Sequence, residues 1–505
     1  MYCHAKLKNI SQHTVISAHL FLPDYSPMNR DSFYPAIACF PLLLMLAGCA
    51  PMHETRQALS QHTLAVQVDT ALPTALKNGW PDSQWWLEYH DDQLTSLINN
   101  ALQNAPYMQV AEQRIQLAEA QAKAVATQDG PQLDFSADME RQKMSAEGLM
   151  GPFALNDPAA GTTGPWYTNG TFGLTAGWHL DIWGKNRAEV TARLGTVKAR
   201  AAEREQTRQL LAGSVARLYW EWQTQAALNT VLQQIEKEQN TIIATDRQLY
   251  QNGITSSVEG VETDINASKT RQQLNDVAGK MKIIEARLNA LTNHQTKSLK
   301  LKPVALPKVA SQLPDELGYS LLARRADLQA AHWYVESSLS TIDAAKAAFY
   351  PDINLMAFLQ QDALHLSDLF RHSAQQMGVT AGLTLPIFDS GRLNANLDIA
   401  KAESNLSIAS YNKAVVEAVN DVARAASQVQ TLAEKNQHQA QIERDALRVV
   451  GLAQARFNAG LIAGSRVSEA RIPALRERAN GLLLQGQWLD ASIQLTGALG
   501  GGYKR

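Results

Sequence analysis

Cysteine is almost missing from this sequence. Among 505 residues only Cys3, Cys39 and Cys49 occur, all in the first tenth of the chain. That excludes a disulfide framework. Beyond Cys49 it also excludes a thiol nucleophile, a CxxC redox pair and a cysteine-based zinc site. A surplus of either charge is missing too, with 46 Lys and Arg against 48 Asp and Glu. A nucleic-acid binder would carry a basic excess, so no nucleic-acid partner is expected. Aromatic residues are sparse at 7%, yet the hydrophobic share is an ordinary 45%, which argues against disorder. No apolar run is long enough to read as a membrane-spanning helix. The strongest, FYPAIACFPLLLMLAG at 33–48, is short and interrupted by Pro35 and Pro41.

Catalytic signatures are also lacking. The 12 histidines form no HExxH, and no GxSxG, GxxxxGK[ST] or GxGxxG pattern follows a suitable strand. Gly500-Gly501-Gly502 reads as a terminal tail. Asp91-Asp92 is a paired carboxylate, but it suits the cap of a helix beginning near Leu94. Trp80, Trp85 and Trp86 resemble a sugar platform in type; an apolar cluster packed around helices is the preferred reading. No enzyme activity, cofactor or metal is expected.

The apolar run at 33–48 fits the h-region of a secretory signal, with Arg30 just before it. It ends in Leu46-Ala47-Gly48-Cys49, which resembles a bacterial lipoprotein signal. That resemblance implies acylation of Cys49, and several acyl chains would anchor the protein stably. Ala50, rather than Asp, fits export to the outer membrane. Residues 1–48 are read as leader, with 1–27 a possible start-site extension before Met28-Asn29-Arg30.

Beyond the leader the chain repeats itself. Residues 101–135 align without a gap on 321–355, each a long helical stretch closed by a proline, Pro131 or Pro351. GLTAGWHLDIWGKNR at 173–187 aligns on GVTAGLTLPIFDSGR at 378–392, so that Trp183 matches Phe388. RQLYQNGITSSVEGVE at 247–262 matches QARFNAGLIAGSRVSE at 454–469. The expected organisation is a first repeat with an N-terminal tether at 49–300, a proline-rich linker at 301–316 and a second repeat at 317–505.

Each half reads helix, strand, strand, long helix, turn, helix. Phe172, Leu174, Ala176, Trp178, Leu180 and Ile182 alternate with small or polar residues. So do Met377, Val379, Ala381, Leu383, Leu385 and Ile387, and, more weakly, the runs from Leu133 to Met139 and from Ile353 to Leu359. Period-two alternation means one apolar and one polar face. Four such strands in a mostly helical chain make a poor soluble sandwich. They suit a transmembrane barrel, whose smallest bacterial examples need about eight strands. Several copies must then share one barrel, and three copies of four strands make twelve. Trp166, Tyr167, Trp178 and Trp183 would suit its aromatic girdle.

The stretches 188–252 and 393–459 contain no proline. At about 1.5 Å per residue each could reach roughly 100 Å. Leu228, Ile235, Ile242 and Leu249 recur every seventh residue, as do Val415, Val422 and Val429, which predicts left-handed coiled-coil packing. A coiled-coil scaffold without a pore would explain these helices, but not the lipoprotein signal or the strands.

The doubled set of features resembles the TolC family, in particular its outer-membrane lipoprotein branch that serves drug efflux. The carriers are the strand exits LDIWGKNR and LPIFDSGR, the turns LYQNGI and RFNAGL, and the signal ending in Cys49. The likeness covers residues 49–505. It implies a mainly α fold with a β-barrel portion: long coiled-coil helices forming a periplasmic α-barrel and four strands per chain in a trimeric, 12-stranded β-barrel. It further implies a homotrimer in the outer membrane, a periplasmic adaptor, an inner-membrane efflux pump as energy source, and drugs or small toxic compounds as cargo. A duct for peptide or protein secretion is the related alternative. The turns become periplasmic tips that meet the adaptor, through Tyr250, Asn252, Gly253 and Ile254 and through Phe457, Asn458, Gly460 and Leu461. Candidate gate residues are Glu259, Arg466 and Glu469. Where relatives have two carboxylates after the second tip, this chain has Arg466 and Glu469, which suggests cross-subunit ion pairs instead of an acidic ring. Phe457 and Ile462 likewise replace a tyrosine and an arginine that lock the closed state in relatives.

Overall fold

The computed structural model describes Met52, Leu59 and Ser60, then 80–148, 164–254, 256–293, 299–308, Leu321 and 323–503. The leader, Cys49, most of the tether and the second half of the linker lie outside the described residues. The body from Pro51 onward is one compact unit, and it alone is treated below.

The first repeat begins with α1 (Asp92–Asn104) and α2 (Pro106–Ala126). Asp91 caps α1 as expected, its Oδ1 accepting from the Leu94 N–H at 2.8 Å. Strands β1 (Gln132–Lys143) and β2 (Trp166–Leu180) follow, then α3 (Lys185–Gln251) and α4 (Ser257–Thr292). The second repeat runs α5 (Ala326–Ala347), β3 (Asp352–Ala363), β4 (Gln375–Thr384), α6 (Arg392–Asn458) and α7 (Gly464–Ala498). α3 and α6 are both 67 residues long. β1 and β3 are both 12. α7 continues through Pro473, which cannot donate its helical hydrogen bond. Two expectations needed correction at the strand ends. Ile182 lies beyond β2, and Leu385 and Ile387 lie beyond β4, where the chain turns toward the helices.

The heptad positions face inward as their period requires. Ile235 and Ile242 are buried on α3, and Val415, Val422 and Val429 on α6. One core gathers Trp85, Trp86, Tyr219, Trp220, Trp222, Ile284 and Leu288 between α1, α3 and α4. A second lies between α5, α6 and α7. The three tryptophans thus divide: Trp85 and Trp86 belong to the first core, whereas Trp80 packs on the second, with the Arg324 guanidinium 4.9 Å above its ring.

A single lateral order governs the whole body. The sheet is antiparallel throughout, β1-β2-β3-β4. Next to it the helices pack in the order α2–α3–α5–α6. Toward the turns the order becomes α4–α3–α7–α6. First-repeat elements stand at one flank and α6 with β4 at the other, so neither flank closes on itself.

The linker is strapped down where it is described. Gln223, fully buried on α3, donates from Nε2 to the Lys302 carbonyl at 2.9 Å and accepts at Oε1 from the Val304 N–H at 2.8 Å. Gln93 brackets Lys302 from α1, and Gln485 of α7 donates to the Leu306 and Pro307 carbonyls. An extended segment has no ladder of its own, so these amides supply partners to its backbone groups.

Candidate functional site

The register of the sheet decides which side chains share a face. Phe135 lies opposite Leu174, Leu174 opposite Leu359, and Leu359 opposite Met377. One row lower, Leu133 meets Ala176, Ala176 meets Ala357, and Ala357 meets Val379. The alternating apolar positions of the two repeats therefore fall on one face. The face is bare: Phe135 is 67% exposed and Val379 81%. Each such side chain is worth about 1.5–3 kcal/mol when removed from water. Summed over the face, that exceeds the roughly 5–15 kcal/mol net stability of a folded domain. Contact with lipid resolves this; a soluble core does not, because Leu366, Leu369 and Phe370 of the β3–β4 loop reach over only one end of the face.

The opposite face carries Asp134, Ser136, Asp138, Thr171, Thr175, Asn354, Gln360, Gln376 and Thr380. Met356 and Phe358 interrupt it. The Phe358 ring lies so close over Gly378 that a Cβ there would come within 2.8 Å of it. The alternation of β3 is weaker in the sequence because of these two residues. At the ends of the sheet, Trp166 and Trp178 lie on the apolar face, and the Trp178 indole N–H donates to the Asp129 carbonyl at 2.8 Å. Tyr167 does not join them: it is buried and faces the other side. Trp183, beyond β2, stacks on Tyr350 with ring centroids 5.0 Å apart and planes 19° from parallel. Its indole N–H donates to the Pro351 carbonyl at 2.8 Å.

At the far end of the long helices the two turns are copies. Asn252 closes α3, and Gly253 follows at φ +74°. The Gly253 N–H donates to the Tyr250 carbonyl and the Ile254 N–H to the Leu249 carbonyl, both at 2.9 Å. In the second turn Gly460 has φ +72°, its N–H donates to the Phe457 carbonyl, and the Leu461 N–H donates to the Arg456 carbonyl, again at 2.9 Å. This pair of bonds ends a helix through a left-handed residue, which glycine adopts without strain. No side chain would obstruct a Cβ at either glycine, so backbone conformation alone asks for it. The motif leaves Tyr250, Ile254, Phe457 and Leu461 exposed. Asn252 and Asn458 complete the tips; the Asn252 amide donates to the Gln248 carbonyl.

The three candidate gate residues lie just beyond these turns. Arg466 donates from Nη1 to Glu469 Oε2 at 2.7 Å, three residues along the same helix. The Glu469 hydrogen bond, and then the nearby carboxylates of Glu469, Asp246 and Glu259, push the Arg466 guanidinium above its ordinary value. The structure therefore brings first-turn and second-turn charges together around one arginine. Asp246, held by the Thr263 hydroxyl at 3.2 Å, was missed in the sequence. Nothing in its local pattern marks it, because α4 brings Thr263 against it from beyond the turn.

Among the described residues no group of histidine and carboxylate side chains could hold a metal, and no helix is long and apolar enough to cross a membrane.

Long paired helices below a sheet with one lipid-suited face define the class of outer-membrane channel subunits. Residues 97–294 and 317–501 match the model of the outer membrane efflux protein family. The chain belongs to that family. It is 98% identical over 478 residues to the multidrug resistance outer membrane protein MdtQ of Escherichia coli O6:H1, covering 95% of this chain and all of that protein. It is 36% identical over 468 residues to MdtP of Shigella flexneri, also a multidrug resistance outer membrane protein, covering 91% and 94%. Among solved structures it resembles the outer membrane protein VceC of Vibrio cholerae, with TM-score 0.71 and 26% identity over 84% of this chain and all of that one.

Proposed function

We propose that this protein is the outer-membrane channel of a multidrug efflux system, a passive exit duct for drugs and small toxic compounds. The observation that carries the reading is the apolar face that runs unbroken from β1 to β4 across both repeats, above four helices arranged in the same lateral order. The chain is an outer-membrane protein, and its mainly α fold carries a β portion that suits that membrane.

A barrel needs more strands than this chain supplies, so the duct is a homotrimer whose copies close one twelve-stranded barrel. The work of transport comes from an inner-membrane pump, joined through a periplasmic adaptor that rests on the tips around Gly253 and Gly460. Exposed apolar side chains at Tyr250, Ile254, Phe457 and Leu461 support that contact, because apolar knobs on a helical turn suit an adaptor's helical hairpin. The duct needs no catalytic group of its own. Glu259, Arg466 and Glu469 line its narrow end, and acyl chains on Cys49 hold the chain to the outer-membrane lipid.

Conductance of the purified oligomer across a planar bilayer tests the reading. Discrete single-channel steps are expected. Continued silence from a folded oligomer, even with Arg466 and Glu469 both changed to alanine, would overturn the duct in favour of a non-pore scaffold.

A further inference from the structure

Crowding between the strands falls on one face of the sheet. Three strand glycines leave no room for a Cβ against a neighbouring strand, and all three lie on the polar face. At Gly173 of β2, an added Cβ would meet the Cα and Cβ of Gln360 at 2.5 Å, so the backbone of β3 itself closes in. At Gly382 of β4 it would overlap the side-chain oxygen of Asn354. At Gly378 of β4 it would meet Cε1 and Cζ of Phe358, both at 2.8 Å. Gly170, on the apolar face, is met by Leu366 and Leu369 of the loop instead of by a strand. Glycine inside a strand marks a close approach or a bend, and crowding on one face marks a sheet curled toward that face. The polar face is therefore the concave one, the face that a duct turns to its bore.

Met356 and Phe358 are the two apolar side chains on that face of β3, and they are held differently. Met356 lies opposite Gly177, where an added Cβ would meet nothing within 4 Å, and it is 45% exposed. Phe358 lies opposite Gly378, with the far edge of its ring over the bare backbone there, and it is half-buried. Directly opposed residues on one face have their Cβ atoms about 4.5–5.5 Å apart. A methyl group at position 378 would thus stand in the space that the ring occupies. The ring lies down because that position has no side chain.

We propose that Gly378 is a seat that holds the Phe358 ring against the wall, and that this seat sets the clearance of the barrel's bore. Gly378 is a positioning residue, acting on cargo only through the ring. The proposal rests on the duct described above and adds to it a size limit in the barrel, separate from the charged tip. With the ring seated, bulky cargo passes. With the ring unseated, every copy of the chain adds an aromatic obstacle near the middle of β3, and bulky cargo loses passage before small cargo does.

Thiol labelling from outside intact cells tests the seat, and its readout does not depend on the tip. Thr380 is exposed on the same face, one polar-face position nearer the helices than Gly378. No native cysteine lies beyond Cys49. In the full-length chain Thr380→Cys is the reporter, and a small and a bulky water-soluble maleimide are the probes. Both should label it. Adding Gly378→Ala should slow the bulky probe several-fold and leave the small one unchanged. Adding Phe358→Ala to that variant should restore the bulky probe. Gly177→Ala makes the same chemical change where a Cβ meets nothing, so it should leave both rates unchanged. Phe358→Ala alone should speed the bulky probe little, because the ring already lies against the wall.

Unchanged labelling in Gly378→Ala, or equal slowing by Gly177→Ala, overturns the seat and leaves the duct intact. So does a failure to recover when the ring is removed, or a large acceleration by Phe358→Ala alone. A reporter that neither probe reaches from outside overturns the duct itself.

Discussion

Arg466 and Glu469 lie on one face of α7, joined by a 2.7 Å hydrogen bond within a single chain. The guanidinium is therefore already engaged before any neighbouring copy approaches, and Asp246 and Glu259 surround it as further carboxylates. Its charge stands against those three carboxylates. Arg466→Ala should make the channel more cation-selective, and adding Glu469→Ala should bring selectivity partly back. Reversal potentials under a salt gradient would measure both. Because the Arg466 value is raised above an already high ordinary one, its charge persists across neutral and moderately alkaline pH. No pH dependence of selectivity between pH 6 and pH 9 should disappear in Arg466→Ala.

Gln223→Leu tests the strapped linker. The substitution removes the acceptor of the Val304 N–H and one of the two donors to the Lys302 carbonyl, Gln93 keeping the other. Each buried unpaired group costs about 1–3 kcal/mol. A lower melting temperature and new proteolytic cleavage between 299 and 308 are expected. Unchanged melting and unchanged resistance would show that the linker is held by its prolines and leucines alone.

Alkaline unfolding should involve Tyr334. Burial first, and then the hydrogen bond to Glu203, push its phenol up to about 12. The folded state thus holds the proton more tightly than the unfolded chain, whose phenol titrates near 10. The stabilisation is complete below pH 10 and is lost as pH rises toward 12. Tyr334→Phe should flatten this part of the stability curve, as read by circular dichroism at stepped pH.

At the tips, Gly460→Ala places a Cβ in a left-handed residue, at a cost of about 1–2 kcal/mol, but touches nothing else. Efflux should fall only modestly. Ile254→Asp with Leu461→Asp leaves both turns intact yet removes two of the four exposed apolar knobs, one from each tip. Drug susceptibility should rise to that of a strain without the duct, with abundance and oligomer unchanged. Full resistance in that variant would move the adaptor contact elsewhere.

Cys49→Ser should abolish incorporation of labelled palmitate. Retained label at that position would refute lipid anchoring there.

What the sequence reveals follows from how local each cause is. The glycine turns and the buried heptad valines depend on neighbours a few residues away, and these were legible. The apolar face was legible for the same reason, since alternation along one strand already encodes it. Tyr167 was misjudged because an aromatic residue states no preference between a buried site and a membrane rim. The straps from Gln223 to Lys302 were invisible: a lone glutamine in a helix gives no sign of a partner that comes from another element. The pair of Arg466 and Glu469 was legible as neighbours one helical turn apart, whereas Asp246 came to them only through the fold.

The equal lengths of α3 and α6 bind the evolution of the molecule as well as its form. Each has 67 residues, and their return partners have 36 and 35. At about 1.5 Å per residue, one inserted turn in α3 alone would carry its tip roughly 5 Å past its twin. Such a lineage would need matching insertions in all four helices before the tips came level again. The distance this protein can bridge is therefore inherited in quadruple, and it changes in concerted steps or hardly at all.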